Sequence, residues 1–354
     1  MKQARQSNIE LLRLICMFFI VIHHIIIHAL PLSPAFSMEM GYNNVLIHVI
    51  EGFVLCAVPV FVLISGYFGI NFKLKGLLNF YIQCAFYSGL IYLIYLYISG
   101  QNINRWCIYN TLFPITNHAD LWFVPCYFML YLISPLLNKC IDHLSKREFQ
   151  LALLALVVIN LYYGWYLRST LTNVDGFNLC NFVFLYFIGR YIAKYVDIAN
   201  TSKIRVVGTI VFAMGSALFG LLPVINGQLG LLPEWSPIVD YRIYNHPLLL
   251  INSMALLVVF LTFKFQSKSV NWFAESAFSV YLISENSYIR DYWYNCAANV
   301  LNYPPHVVFR YIMLFIIASI VMIICLGIDK IRMLITNPIV RYATTKINSY
   351  HTDI

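Results

Sequence analysis

Residues 9–30 read IELLRLICMFFIVIHHIIIHAL, and this stretch is long enough to cross a membrane as one helix. A spanning helix needs about 20 mostly apolar residues, which this segment supplies although it contains an arginine and three histidines. Lys2 and Arg5 precede it, as in a secretory signal, but no clear small-residue cleavage site follows. We therefore expect an uncleaved anchor helix at the start of the fold.

Nine further apolar stretches follow the first. The 354 residues are 60% hydrophobic and 11% charged, whereas soluble domains carry roughly 45–50% apolar and about 25% charged residues. The surplus apolar surface must face lipid, so we predict an all-α, polytopic transmembrane helical bundle of about ten spans, with residues 1–354 forming a single membrane domain. The predicted spans are 9–30, 45–70, 77–98, 121–143, 149–167, 178–196, 204–226, 247–265, 271–290 and 306–329.

The basic residues between these spans predict the orientation of the chain, because cytoplasmic loops carry an excess of Lys and Arg. One set of alternate loops holds Lys2, Arg5, Lys73, Lys75, Lys139, Lys146, Arg147, Arg190, Lys194, Lys203, Arg205, Lys264, Lys268, Lys330, Arg332, Arg341 and Lys346. The other set holds Arg105, Arg168, Arg242, Arg290 and Arg310. Both termini are therefore predicted to be cytoplasmic. The net charge of +8 is explained by this orientation, so we expect no nucleic-acid partner.

The nine cysteines show no CxxC pairing, and most of them fall inside apolar stretches. We interpret them as small packing groups and expect no disulfide framework. No set of potential ligands has metal-binding spacing, so no metal is expected.

Arg13 and His24 are the strongest candidates for function, because an ionisable group in a span is costly unless it faces a cavity or a partner. They are eleven residues apart, which is three helical turns plus roughly 20°, so both lie on one face, about 16 Å apart along the axis. A structural interpretation also exists, in which Arg13 extends to lipid phosphates and the histidines bond backbone carbonyls. We favour that interpretation for His23 and His28, and function for Arg13 and His24.

The chemistry of these two groups suits acyl transfer between substrates that arrive from different directions. A neutral imidazole can take the proton of an alcohol as its oxygen attacks an acyl carbon. A guanidinium near the cytoplasm can bind phosphate through two parallel hydrogen bonds, as a nucleotide-bearing donor requires.

The second predicted span and the loop after it carry weaker candidates. His48 and Glu51 are three residues apart and share a helix face, either as a structural pair or as part of a site. Ser65 could contact a substrate through its hydroxyl. Lys73 and Lys75 are explained equally well by membrane topology and by phosphate binding.

Taken together, these residues resemble the bacterial integral-membrane acyltransferase 3 family over nearly the whole chain. NIELLRLICMFFIVIHH matches the first helix of that family, with its Arg-x10-His motif at Arg13 and His24. Four later segments also resemble family blocks: VPVFVLISGYF with Ser65, Gly66 and Tyr67; LWFVPCYFMLYLISPLLNK with Trp122, Phe123, Ser134 and Pro135; FLYFIGRYIAKY with Gly189, Arg190 and Tyr191; and the closing IDKIR.

The resemblance implies an enzyme of the bacterial cytoplasmic membrane, in contact with membrane lipid, that is an O-acetyltransferase of a cell-envelope polysaccharide or a lipid-linked sugar. Acetyl-CoA would be the acyl donor. His24 would be the general base or, if the acyl group is relayed, an intermediate acceptor, and Arg13 would bind or orient the donor. The residues expected to bind substrate are Ser65, Trp122, Arg190, Glu51 and His48, and those expected to bind the donor are Arg13, Lys73 and Lys75.

One departure from the family pattern lies in the penultimate span. Many relatives have a Tyr-Leu-Ile-His sequence there, whereas this chain reads YLISENS with Ser284 and Glu285. Glu285 is either a compensating acidic group or a helix-end carboxylate without a function. The rival function is a transporter or flippase of lipid-linked sugars, which predicts broken helices and two similar halves; neither is visible in the sequence.

Overall fold

The computed structural model describes residues 5–30, 42–115, 121–169, 175–198, 201–233, 236–240, 243–302 and 307–352. Lys2 and Arg242 of the charge count lie outside these ranges. The helices are α1 Ser7–Ala29, α2 Tyr42–Val54, α3 Ala57–Phe68, α4 Leu74–Ser99, α5 Arg105–Leu112, α6 Phe123–His143, α7 Lys146–Val157, α8 Leu179–Tyr195, α9 Thr201–Leu229, α10 Pro247–Leu261, α11 Lys268–Ala274, α12 Ala277–Ser284, α13 Arg290–Asn302 and α14 Val307–Thr352. A π-helical segment, Val158–Tyr166, continues α7.

The prediction of a polytopic helical bundle is confirmed. Within the described residues, seven helical segments are long and apolar enough to cross a membrane: Ser7–Ala29, Val45–Phe68, Leu74–Ser99, Phe123–His143, Lys146–Tyr166, Thr201–Leu229 and Val308–Val340. The other predicted spans fall on shorter helices, since α8 has 17 residues and α10 has 15. The count of ten spans stays a prediction.

Two of the predicted spans are broken helices, although no break was visible in the sequence. Leu55 and Cys56 separate α2 from α3, and Glu275 and Ser276 separate α11 from α12. The backbone at each break still bonds within the protein, for example from the amide of Ser279 to the carbonyl of Ser276 at 3.1 Å. Hydropathy does not register such breaks, because the residues beside them stay apolar while neighbouring helices shield the backbone.

α1 lies at the centre of the bundle and packs against α2, α3 and α10 to α14. Its apolar face is almost fully buried, with Leu12, Cys16, Ile22 and Ile25 all at 0% exposure. Four polar residues of α1 are buried among the other helices as well: Ser7, Asn8, Glu10 and His23.

Two glycines allow α3 and α8 to approach each other closely. A Cβ atom on Gly66 of α3 would lie 2.3 Å from the carbonyl oxygen of Tyr186 in α8, and one on Gly189 would lie 2.4 Å from that of Leu63. The Ser-Gly-Tyr and Gly-Arg-Tyr segments recognised in the sequence thus pack against each other.

Basic residues that the loop pattern assigns to the cytoplasm contact acidic residues in two clusters. Arg5 Nη1 lies 2.9 Å from Glu275 Oε1, and Lys330 Nζ lies 3.8 Å from Glu275 Oε2. Lys194 Nζ lies 3.2 Å from Asp142 Oδ1. These contacts join residues far apart in the chain and agree with the predicted grouping, while the side of the membrane stays a prediction.

Candidate active site

Two cavities lie on either side of three phenylalanines, Phe61, Phe123 and Phe278, which line both. The larger one, called here the Arg13 cavity, has a volume of about 380 Å³. The smaller one, called the His24 chamber, has a volume of about 40 Å³. The common helix face of Arg13 and His24 had suggested one shared cavity. The structure instead places them in two different cavities. They open into neighbouring cavities with an aromatic wall between them.

Apolar and aromatic side chains form most of the His24 chamber. Beyond the three phenylalanines and His24 itself, its lining residues are Met17, Ile20, Val58, Trp122, Tyr244 and Tyr281. The chamber has little room for water, so a polar group such as the imidazole of His24 is only weakly solvated. The chamber suits a small, mainly apolar group placed beside one imidazole.

A carboxylate stands next to the His24 ring. His24 Nδ1 lies 3.2 Å from Glu285 Oε1, which is within ion-pair distance, although the angle is not that of a hydrogen bond. The hydroxyl of Tyr294 in α13 donates to the same carboxylate oxygen. Glu285 is 3% exposed, so this carboxylate is a buried, fixed neighbour of the imidazole and not a solvated helix end.

His23 has a different carboxylate partner. Its Nδ1 bonds Oε1 of Glu51, which is fully buried. The sequence-based interpretation gave His23 a backbone carbonyl partner, whereas its Nδ1 bonds a carboxylate; the expectation that His48 and Glu51 act as a pair stays a prediction. Spacing along α2 could not reveal this contact, because the partner lies on another helix.

His28 extends the row of imidazoles on α1 toward the surface. Its ring centroid lies 6.0 Å from that of His24 and 4.6 Å from that of Tyr294. Tyr294 therefore contacts both Glu285 and His28, so α13 closes one side of the site.

Arg13 faces its cavity and has an acidic neighbour on the same helix. Its Nη1 lies 2.8 Å from Glu10 Oε1, and Glu10 is the one polar partner of Arg13 in the described part of the chain. The Arg13 side chain is 34% exposed, so part of the guanidinium stays open to a ligand. Such a ligand has to compete with Glu10.

Ser65 and Trp122 are placed at the two cavities. Ser65 lines the Arg13 cavity, where its Oγ lies 3.1 Å from the hydroxyl of Tyr127, another lining residue. Trp122 lines the His24 chamber and its ring packs 5.4 Å from that of Tyr244. Each residue therefore lines one of the two cavities.

Lys73 and Lys75 stand at the start of α4, exposed to solvent. The next residue, Gly76, lines the Arg13 cavity together with Asn79 and Gln83 of the same helix. The hydroxyl of Tyr131 bonds the backbone of Lys73. The lysines thus lie near the opening of the Arg13 cavity, and neither the topological nor the phosphate-binding interpretation is excluded.

Arg190 and His48 belong to contacts between helices instead. Arg190 Nη2 lies 3.5 Å from Asp142 Oδ1, and its Nη1 is beside Gly69, at 3.0 Å from where a Cβ atom would lie. The backbone carbonyl oxygen of His48 packs against Gly220 of α9, at 2.1 Å from where a Cβ atom would lie. The structure brings neither side chain to the lining of the two cavities.

Sequence reasoning missed the aromatic wall and Tyr294. A phenylalanine in an apolar helix looks like any other core or lipid-facing residue, so Phe61 and Phe278 carried no signal of their own, and Phe123 entered only through its family block. Tyr294 lies in α13, which is too polar to have been assigned to a span. Glu285 did carry a signal, since it departs from the family pattern inside an apolar segment.

Comparison with known proteins agrees with this geometry. A family model described as an acyltransferase domain matches residues 6–327. No curated protein and no solved structure shows significant similarity to the chain. The match covers the helices that carry both cavities, and it spans most of the chain. The protein therefore belongs to the acyltransferase 3 family and is a membrane acyltransferase.

Proposed function

We propose that this protein is an O-acetyltransferase of the bacterial cytoplasmic membrane, which moves an acetyl group from cytoplasmic acetyl-CoA to a hydroxyl of a cell-envelope glycan. The observation that carries the proposal is the placement of His24 beside the buried carboxylate of Glu285, in a chamber that shares its wall with the Arg13 cavity. A carboxylate beside an imidazole stabilises the imidazolium that forms when the imidazole acts as a general base.

The charges around the Arg13 cavity support a phosphate-bearing donor. The cations at or near it are Arg5, Arg13, Lys73, Lys75 and Lys330, and the carboxylates are Glu10 and Glu275. Cations outnumber carboxylates, so the cavity attracts an anion such as the phosphates of coenzyme A. The thioester arm would extend from there toward the phenylalanine wall.

The transfer itself needs one base and no other reactant. The nitrogen Nδ1 of His24 lies beside Glu285, which leaves Nε2 for the acceptor hydroxyl. As Nε2 takes the proton, the acceptor oxygen attacks the thioester carbonyl carbon, the carbon–sulfur bond breaks, and the departing thiolate takes the proton from the imidazolium. Glu285 stabilises the imidazolium in between.

A transporter of lipid-linked sugars is the second candidate, and the broken helices α2–α3 and α11–α12 favour it, because transporters place such breaks at their substrate sites. The breaks also have a simpler role here. They bring Glu51 at the end of α2 to His23, and Phe278 at the start of α12 to the wall between the cavities. The family match favours the acyltransferase.

The proposal is tested by mass spectrometry of surface glycans from cells that carry the wild-type gene, no gene, or His24→Ala. We expect a mass loss of one acetyl group per repeat without the gene and with His24→Ala, since loss of a general base costs about 10²–10⁴-fold. His143→Ala is the matched control, because His143 is exposed and its one hydrogen bond within the described residues is to the carbonyl of Lys139 in its own helix. An unchanged glycan mass in cells without the gene would instead favour the transporter.

A further inference from the structure

The hydroxyl of Tyr281 is a polar group in the His24 chamber that the reaction described so far does not use. Tyr281 lies on α12, is 6% exposed and lines the chamber. Two side-chain polar atoms in this lining are buried and have no hydrogen-bond partner within the described residues: His24 Nδ1 and the hydroxyl oxygen of Tyr281. His24 Nδ1 has the carboxylate of Glu285 beside it, so the Tyr281 hydroxyl is the group that still lacks a role.

The proton of this hydroxyl has no acceptor in the described part of the protein. The backbone amide of Phe123 lies beside the hydroxyl oxygen, without the geometry of a hydrogen bond. A backbone N–H can only donate, so it cannot accept the hydroxyl proton. Burying a hydroxyl without an acceptor is costly, and a phenylalanine would fill the same space without that cost. The unmet donor therefore indicates that an acceptor oxygen enters the chamber with a ligand.

One side of α12 directs three groups toward the chamber. Phe278, Tyr281 and Glu285 follow one another at intervals of three and four residues, so they lie within an arc of about 100° around the helix axis. Phe278 belongs to the wall, and Glu285 approaches His24. Tyr281 lies between these two along the helix, and its ring stacks on that of His24 with 6.4 Å between the centroids. A small acyl group in the chamber can therefore contact both the imidazole and the hydroxyl.

The N-terminus of α6 adds a positive potential at the same place. Trp122 and Phe123, the N-cap residue and the first residue of α6, both line the chamber. The side chain of Trp122 does not cap the helix, and the amide of Phe123, as the first of the helix, has no partner within it. The dipole of the helix favours a negatively charged atom near these amides. The Tyr281 hydroxyl and this helix end therefore favour negative charge on the same side of the chamber.

Acyl transfer develops two charges in the chamber, and the groups assigned so far balance only one of them. Glu285 stabilises the imidazolium that forms as His24 takes the acceptor proton. When the acceptor oxygen bonds the thioester carbonyl carbon, the π electron pair of the carbonyl moves to its oxygen, and this pair returns as the carbon–sulfur bond breaks. The carbonyl oxygen is negative in between. In an apolar chamber with little room for water, a fixed hydrogen-bond donor is the most effective way to stabilise it.

We infer that Tyr281 is a further catalytic residue, whose hydroxyl forms with the N-terminus of α6 an oxyanion hole for the carbonyl oxygen of the acyl thioester. The hydroxyl donates a hydrogen bond and transfers no proton, so the reaction needs no additional reactant. The inference rests on the proposed function and deepens it, because it adds to the base and its carboxylate the group that stabilises the reacting carbonyl.

The test compares wild type with Tyr281→Phe, as full-length protein in lipid nanodiscs, with acetyl-CoA as donor and purified surface glycan as acceptor. The substitution removes only the hydroxyl and keeps the ring that packs in the chamber. We expect kcat to fall about 10²-fold to 10³-fold, as for the loss of one oxyanion donor. The Kd for acetyl-CoA, measured without acceptor, should stay close to the wild-type value, because the hydroxyl acts mainly in the transition state. Tyr97→Phe is the control, since Tyr97 is 91% exposed on α4, and it should keep the wild-type rate.

A second readout does not depend on turnover. It is the infrared stretching band of bound acetyl-CoA whose thioester carbonyl carries a carbon-13 label. A hydroxyl that donates to the carbonyl oxygen lowers the frequency of this band, so wild type and Tyr97→Phe should absorb at a lower frequency than Tyr281→Phe.

A folded Tyr281→Phe protein with a kcat within about threefold of wild type would overturn the inference and leave the proposed function standing. Should the wild-type protein transfer no acetyl group to the glycan, the proposed function fails, and the infrared band decides the inference separately. A lower frequency in wild type than in Tyr281→Phe would then support the contact. The same frequency in both proteins, or no band from bound acetyl-CoA, would refute it.

Discussion

Replacing Glu285 with glutamine removes one charge beside His24 and keeps the shape of the side chain. The amide oxygen of glutamine can still accept from the hydroxyl of Tyr294, so the turn after α12 should keep its structure. If Glu285 stabilises the imidazolium that forms during transfer, the variant should bind acetyl-CoA normally and turn over slowly. A helix-end carboxylate without a function predicts no change in rate.

The separation of the two groups sets the upper limit of the effect. Unit charges 3.2 Å apart interact with about 5 kcal/mol at an effective dielectric constant of about 20. At about 1.4 kcal/mol for each tenfold change in rate, that is a ceiling between about 10³-fold and 10⁴-fold. Glutamine retains a dipole that points at the imidazole, so we expect kcat to fall by about 10²-fold.

The assay is the initial rate of acetyl transfer by nanodisc-embedded protein, with acetyl-CoA varied at a fixed concentration of glycan. Glu148→Gln is the matched control, since Glu148 caps α7 through Ser145 and glutamine serves the same capping role. Tyr294→Phe removes only the donor to Glu285 and should lower kcat about threefold to tenfold. A Glu285→Gln protein that is folded and has a kcat within threefold of wild type would refute the assignment of Glu285.

Three further substitutions separate the roles assigned to the other groups. Arg13→Lys keeps the charge but loses the planar fork, so the KM for acetyl-CoA should rise about tenfold with normal membrane insertion; an unchanged KM would make Arg13 a helix anchor. His23→Ala leaves the buried carboxylate of Glu51 without its partner, at a cost of about 3–5 kcal/mol. The variant should therefore give less folded protein on size-exclusion chromatography, and adding Glu51→Gln should restore part of it. Phe278→Ala should open the wall and raise the ratio of kcat/KM for propionyl-CoA to that for acetyl-CoA about fourfold, since one buried methylene contributes about 0.8 kcal/mol. The control Phe273→Ala, on the exposed side of α11, should leave that ratio unchanged.

Much of the fold followed from the sequence because lipid imposes a simple rule on composition. Each of the ten predicted segments falls on helix, and the segment that begins the chain is the central helix α1. The helix breaks did not follow, because Leu55, Cys56 and Ser276 are as compatible with an apolar helix as their neighbours. Their conformation depends on which helices shield the backbone, and that is decided by the tertiary packing.

The site was predictable where one helix determines it and unpredictable where two helices meet. Arg13 and His24 were related by helical geometry alone, and the structure places each at a cavity. The pairing of His23 with Glu51 and the contact of His24 with Glu285 join α1 to distant segments. Spacing rules give the face of a side chain but not the residue that it meets there.

The aromatic wall bears on the choice between chemistry and transport. A transported sugar would have to pass Phe61, Phe123 and Phe278, which separate a cavity of about 380 Å³ from one of about 40 Å³. In the proposed reaction, an acetyl group on the flexible arm of coenzyme A would have only to reach past these rings, while the nucleotide would stay among the cations at the Arg13 cavity. A chamber that is small and apolar, with one imidazole beside a carboxylate, would suit the acetyl end of the proposed donor. Passing the acyl group from one side to the other then requires no movement of a polar substrate through the wall.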